Sequence, residues 1–162
     1  MNTCGDTKTV EISGEPHVPA AQRRVAACPQ CGRMGKAVPT QTVRALVAIS
    51  LREVPDKEYR FCASPECAVV YYAPGTGNTL TRDQLRERVY QKEPGHDDVL
   101  ICYCFRHTMS SVNHSEMDAR ATVLGDITAG IKAGQCACDL RNPQGSCCLG
   151  NVRALIALGA SG

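Results

Sequence analysis

The sequence predicts an α+β chain built as two small units, a mixed strand-and-helix unit followed by a helical one. Three observations carry this. Strand patterns rich in Val and Tyr precede residue 93, and helix-period patterns follow residue 98. Between them, Glu93-Pro-Gly-His-Asp-Asp98 joins Pro, Gly and acidic residues in a stretch with nothing to bury. The 11 cysteines of the 162-residue chain also divide around this break. Cys28, Cys31, Cys62 and Cys67 precede it, Cys102, Cys104, Cys136, Cys138, Cys147 and Cys148 follow it, and Cys4 stands apart. The chain has no Trp, two Phe and five Tyr. Units this small and this poor in large core-building side chains need staples.

In chain order, residues 1–24 read as a flexible tail, broken by Gly14, Pro16 and Pro19. The mixed unit spans 25–93. Cys28-Pro-Gln-Cys31-Gly32 is a tight turn. Thr42–Glu53 sets Val43, Leu46, Val47 and Leu51 near helical spacing, with Thr42 as candidate N-cap and Pro55 as stop. Glu58–Cys62 and Ala68–Ala73 are strand candidates, and Pro74–Asn78 is a turn cluster. Thr81–Leu85 begins a turn of helix, and residues 86–91 fit helix or strand equally. After a linker at 94–98, the second unit spans 99–162. Short helices are expected around Met109–His114, over Ala119–Ala133 (Val123, Leu124, Ile127 and Ile131 on one face) and over Cys148–Leu158 (Val152, Leu155, Ile156 and Leu158). Gly134 and Gly159 fit as helix stops.

Charge and hydropathy exclude several classes. A formal charge of +2 provides no broad basic surface, so no nucleic-acid partner is expected. The N-terminus lacks the apolar segment of a secretory signal. The longest apolar stretches, Ala45–Ile49, Ala68–Tyr72 and Leu155–Leu158, fall far short of the ~20 residues that span a bilayer, so no membrane insertion is expected. A cytoplasmic location follows, where thiols stay reduced and clustered cysteines read as metal ligands. The odd count also excludes complete internal disulfide pairing.

In the first cluster, the two-residue gap of Cys28-x-x-Cys31 lets both sulfurs reach one ion, and Gly32 lets the backbone fold under them. Cys62-Ala-Ser-Pro-Glu-Cys67 brings a second pair on a strand–turn–strand. Four thiolates make a closed tetrahedral Zn²⁺ site, structural rather than catalytic. In the second cluster, Cys102-Tyr-Cys104 is an uncommon spacing for structural zinc but can place two thiolates on one iron. Thiolate-only ligation buried by short helices suits an iron–sulfur cluster. The remaining ligands lie among Cys136, Cys138, Cys147 and Cys148. Cys148 would begin the last helix, where free N–H groups stabilise cluster charge.

These residues carry a resemblance. Cys102-Tyr-Cys104-Phe, about 30 residues of short helices, then Cys136-Ala-Cys138 and Asn142-Pro-Gln-Gly145-Ser-Cys147-Cys148 resemble the [2Fe–2S] domain of bacterioferritin-associated ferredoxins. The stretch from Cys28 to Leu158, roughly 130 of 162 residues, looks closer still to the N-terminal part of two-domain CopZ copper chaperones. It shows that family's CPxC knuckle, Phe61-Cys62…Cys67-Ala-Val69-Val70-Tyr71, CYC, and NP-x-G-x-CC. The resemblance implies a zinc-stapled mixed domain followed by a helical [2Fe–2S]-binding domain. Zinc would be held by Cys28, Cys31, Cys62 and Cys67, and the cluster by Cys102, Cys104, Cys138 and Cys148. The spacing of the bacterioferritin-associated ferredoxins favours Cys136 instead, with 31 residues after Cys104 against 33 for Cys138. Cys136 and Cys147 are therefore alternates, and Cys4 reads as a solvated thiol. The family's separate copper-carrying domain has no counterpart before the chain ends at Gly162.

The function expected is metal handling by a metallochaperone-type accessory protein, through one-electron transfer or reduction of copper. A redox or metal-transport protein would be its partner, and copper or another soft metal its cargo. The competing readings are a ferredoxin-like module serving an unrelated oxidoreductase and a non-redox scavenger or sensor of soft metals. No Ser/His/Asp or Cys/His set stands at an interpretable catalytic spacing, so no catalytic residue is assigned and the chain does not read as an enzyme. His107 and His114 read as solvated, Asn142–Gly145 as a β-turn presenting the Cys pair, and Arg82, Arg86 and Arg88 as a solvated face. Eight thiolates against Zn²⁺ and an oxidised [2Fe–2S]²⁺ core would carry the loaded protein to a charge of about −2.

Overall fold

The computed structural model of the chain describes residues 19–113 and 116–159. Cys4, Gly14, Pro16 and His114 lie outside these residues. Helix α1 (Ala20–Ala26) starts after Pro19, so the helix begins inside the segment expected to be tail. Strands β1 (Lys36–Val38), β2 (Tyr59–Phe61), β3 (Val69–Tyr72) and β4 (Thr79–Thr81) form an antiparallel meander in the order β1-β2-β3-β4. Gly75 and Gly77, at φ of 73° and 72°, turn the chain between β3 and β4.

Strand β3 is buried along its whole length, and a bulge between Val69 and Tyr71 breaks its alternation. Val70 and Tyr71 pack into the main core with Val43, Val47, Phe61 and Leu80. Val69 and Tyr72 pack with Cys28, Cys62 and Cys67. The bulge thus lets one short strand serve both the core and the first cysteine cluster.

Helix α2 (Thr40–Leu46) is shorter than the expected Thr42–Glu53. Pro39, not Thr42, occupies the N-cap, and the helix stops nine residues before Pro55. A tertiary pairing captures the missing part: Val47 bridges to Leu85, Ala48 N–H donates to Gln84 O, and Arg86 N–H donates to Leu46 O. Two buried β-branched neighbours, Val43 and Val47, suit that packing better than continued helix. Single 3₁₀ turns follow at Leu51–Glu53, Arg82–Gln84 and Tyr90–Lys92. The second is closed by a capping box between Thr81 and Gln84.

Beyond the linker, β5 (Leu100–Cys102) pairs antiparallel with β6 (His107–Thr108). Helices α3 (Ser110–Asn113), α4 (Met117–Lys132), α5 (Cys138–Arg141) and α6 (Leu149–Gly159) follow. Val123 and Ile127 of α4 are buried and Leu124 and Ile131 half-buried, against Ile101, Val112 and Val152. Helix α4 ends as the sequence predicts. Gly134 adopts φ 69° and donates to Ile131 O while Gln135 donates to Gly130 O, the two bonds of a Schellman motif. Gly159 is instead helical, the last described residue of α6, and is not among the glycines with positive φ. The expected stop at Gly159 is therefore corrected.

Several bonds dock the halves together, among them the Tyr103 hydroxyl to Arg88 O at 2.8 Å and Gln91 Nε2 to Gln144 Oε1 at 2.9 Å. The buried Thr42 hydroxyl donates to Asp139 O at 2.6 Å, and the Tyr71 hydroxyl donates to Pro143 O at 2.6 Å. A Cβ on Gly145, at φ 70°, would lie 2.9 Å from Val38 and 3.1 Å from the Thr42 hydroxyl, so only Gly lets the turn lie against α2. The linker is largely exposed, as expected, and is pinned at its ends: Arg88 holds Glu93 at 2.9 Å and Asp98 at 2.6 Å. Arg86 Nε donates to Val47 O at 2.8 Å, so neither Arg86 nor Arg88 is merely solvated.

Candidate metal centres

The first cluster is built on a knuckle. Gly32 N–H donates to Cys28 O and Cys28 N–H to Arg33 O, and Gly32 takes φ 72° to close the turn. The loop from Cys62 to Cys67, between β2 and β3, is closed by Cys67 N–H on Ser64 O. The four sulfurs all lie within 4.8 Å of one another. Cys28 and Cys67 are 3.8 Å apart, Cys31 and Cys62 3.6 Å. Tetrahedral bonds of about 2.3 Å place sulfurs about 3.8 Å apart, so the donor set fits one Zn²⁺. Cys28, Cys62 and Cys67 are buried and Cys31 half-buried, which leaves one side facing solvent.

Tyr72 holds the knuckle. Its hydroxyl donates to Ala26 O at 2.8 Å and accepts from Gly35 N–H at 2.8 Å, bracketing Cys28 and Cys31 from both sides. Gly35 must be Gly, since a Cβ there would lie 2.6 Å from Phe61 O and 2.9 Å from that hydroxyl.

Backbone amides point at the sulfurs. Burial pushes the Cys31 thiol up, but the Arg33 amide and sulfur contacts outweigh it and bring it to about 7. Burial raises Cys62, opposed by the Ser64 amide, and raises Cys67 to about 12, opposed by the Val69 amide. Amides so placed favour the thiolate, the form that binds metal.

In the second cluster, Cys148 and Cys102 sulfurs are 3.0 Å apart and Cys104 and Cys138 sulfurs 3.6 Å. The four come from β5, the turn after it, the start of α5 and the residue before α6. Cys148 O accepts from Val152 N–H, so Cys148 sits at the N-cap of α6. Ala137 N–H donates to Cys104 Sγ at 3.3 Å. The contact with Cys148 lowers Cys102, and the contact with Cys138 raises Cys104. Cys138 is raised, the contact from Cys148 and burial outweighing the Cys104 contact, and Cys148 is raised chiefly by Cys102. Among the described residues, the first cluster is the only group of three or more cysteine, histidine or carboxylate side chains with all ligand atoms within 4.8 Å, so the second set is more widely spread.

Cys136 and Cys147 are half-buried and make no sulfur–sulfur contact among the described residues. His107 is not simply solvated, since its Nε2 lies 2.7 Å from Asp126 Oδ2. Asn142–Gly145 is a β-turn closed by Gly145 N–H on Asn142 O, and the Asn142 side chain donates to Ser146 O at 2.7 Å. A cleft of about 330 Å³ between the halves is lined by Arg86, Arg106 and Arg141 and by Glu87, which pairs with Arg106 at 3.5 Å, and the Arg141 charge is felt at Cys104. Sequence reasoning missed Tyr71, Tyr72 and Thr42 as positioning residues. The Val-Tyr run of β3 was the one signal available for the two tyrosines.

No helix among the described residues is long and apolar enough to cross a membrane. No curated protein gives a match. The X-ray structure of the Archaeoglobus fulgidus CopZ N-terminal domain matches at 28% identity with a TM-score of 0.59, over 80% of this chain and 96% of that one. Residues 25–86 match the zf_CopZ family, described as a zinc binding domain. Residues 25–86 are thus similar to a family of zinc-binding domains, and the four-cysteine cluster lies within that matched segment.

Proposed function

We propose that the protein is a metallochaperone-type accessory protein. Cys28, Cys31, Cys62 and Cys67 hold one structural zinc, and Cys102, Cys104, Cys138 and Cys148 hold a [2Fe–2S] cluster. The observation that carries the second assignment is the pairing of Cys102 with Cys148 and of Cys104 with Cys138, while Cys136 and Cys147 join neither pair. The wide spread of this set suits a two-iron core better than a single ion, and all four donors are thiols. When bound, such a core supplies one-electron transfer.

The chain's own residues prepare that site. Cys102, Cys138 and Cys148 are buried, which excludes water from most of it. The amides of Cys104, Phe105, Ala137 and Cys148 are directed at its sulfurs and favour the charged state. Cys104, half-buried beside Arg141, is the exposed edge. A redox or metal-transport partner with an acidic face would meet the arginines of the cleft there. Cu(II) reaching that edge would take one electron and leave as Cu(I), the electron coming from an upstream one-electron donor.

Paired substitutions test the assignment. Cys104→Ser should abolish the iron-dependent colour and leave zinc bound. Cys31→Ser should lose zinc and destabilise the first half, because metal-binding free energy is folding free energy. If Cys136→Ser bleaches the protein and Cys138→Ser does not, the ligand assignment fails. If the reduced protein reduces Cu(II) no faster than an unrelated ferredoxin does, the copper role fails.

A further inference from the structure

Lys92 is 3% exposed, the deepest charged side chain among the described residues. It ends the 3₁₀ turn Tyr90–Lys92, and its Nζ donates to Ser64 O at 2.8 Å and Cys67 O at 3.1 Å. Both acceptors are neutral carbonyls of the loop that carries Cys62 and Cys67. Among the described residues no carboxylate lies within 4.0 Å of the ammonium. A buried ammonium without a counter-charge is strongly disfavoured, and hydrogen bonds to carbonyls satisfy its protons but not its charge. Glu66 of that loop and Glu93 beside Lys92 both lie beyond 4.0 Å of the ammonium, and the Lys92 charge is felt at Cys62. Four thiolates around a divalent ion leave the centre at −2, an excess that a buried cation halves.

We infer that Lys92 is the internal counter-cation of the four-cysteine centre, a positioning residue that clamps the Cys62–Cys67 loop and offsets the charge of the metal-bound thiolates. The inference rests on the reading that this cysteine set holds a divalent ion. It also gives the charge a use in a place where methionine would pack without electrostatic cost. With zinc bound, the four thiolates of the centre give the ammonium an anionic neighbour. Lys92 thus favours the loaded state specifically.

The test measures Zn²⁺ and Co²⁺ affinity of the full chain by competition with a chromophoric chelator, for the native protein, Lys92→Gln and Lys92→Arg. Glutamine keeps a neutral donor for the two carbonyls, and arginine keeps the charge. The visible spectrum of the Co²⁺ form reports tetrahedral thiolate ligation, so a variant that fails to fold is recognised. Affinity should fall about tenfold or more in Lys92→Gln, in the range seen for residues that support metal ligands, and return to within about threefold of native in Lys92→Arg. A Lys92→Gln protein that binds as tightly as native overturns the inference, because carbonyl capping alone would then suffice. A Lys92→Arg protein as weak as Lys92→Gln, with the tetrahedral spectrum intact, also overturns it. If the native protein itself takes up no zinc or cobalt, the four-cysteine reading fails first.

Discussion

The Tyr71 hydroxyl donates to the Pro143 carbonyl at 2.6 Å, joining the central strand of the first half to the turn that separates Cys138 from Cys147 and Cys148. Tyr71 is fully buried, and burial holds its phenol well above its ordinary range, so it remains a hydrogen-bond donor at any physiological pH. Tyr71→Phe leaves a buried carbonyl unpartnered, at a cost of about 1–3 kcal/mol. The expected outcome is a melting temperature lowered by several degrees, with the visible absorbance of the second centre lost earlier in the melt than in the native protein. Thermal scans followed at both ultraviolet and visible wavelengths check this.

Tyr72→Phe acts on the other centre. It frees Gly35 N–H and Ala26 O on the two sides of the Cys28–Cys31 knuckle while leaving all four sulfurs in place. Zinc should be lost to a chelator about ten times faster or more, a change typical of supporting residues around metal ligands. The iron content should not change, because Tyr72 touches nothing in the second cluster.

Gly130→Ala tests the packing behind the second cluster. A Cβ at this position in α4 would lie 2.2 Å from the Phe105 ring, and Phe105 directly follows Cys104. The ring must move, at a cost of about 1–3 kcal/mol for overpacking. Chemical denaturation should show that loss, together with a changed visible circular dichroism, since the Phe105 amide is one of the donors to Cys102. Gly125→Ala on the same helix, where a Cβ meets nothing within 4 Å, should be neutral or stabilising.

Zinc loading should depend on pH in a defined direction. Cys67 stands at about 12 and Cys62 is raised, so both are protonated near pH 7 in the metal-free chain, while Cys31, at about 7, is partly ionised. The metal-free state binds these protons and the zinc-bound state does not, so affinity rises with pH through the neutral range and acid releases the metal. Calorimetry in two buffers of different ionisation enthalpy should record proton release on zinc binding at pH 7, and no release would contradict the reading.

Local patterns were legible wherever a residue's partner was close in sequence. The CPxC knuckle, the strand through Val69–Tyr72, the turn at Asn142–Gly145 and the Gly134 helix stop all follow from short-range chemistry. What the sequence concealed was long-range. Thr42 read as an N-cap because Thr favours caps, yet its hydroxyl is taken by Asp139, 97 residues away. Helix α2 ends at Leu46 because residues 46–48 pair with residues 84–86. Lys92 drew no reading at all, since nothing near it in the chain signals the loop it enters. Cys138 begins α5, a single helical turn too short to show periodicity in the sequence.

The central claim is two distinct metal centres on one chain, and the measurement that tests it most directly is the zinc, iron and acid-labile sulfide content of anaerobically purified protein, taken with its visible spectrum. The protein should be red-brown, with about one zinc, two irons and two sulfides per chain. A colourless protein carrying about two zinc ions and no sulfide would contradict it.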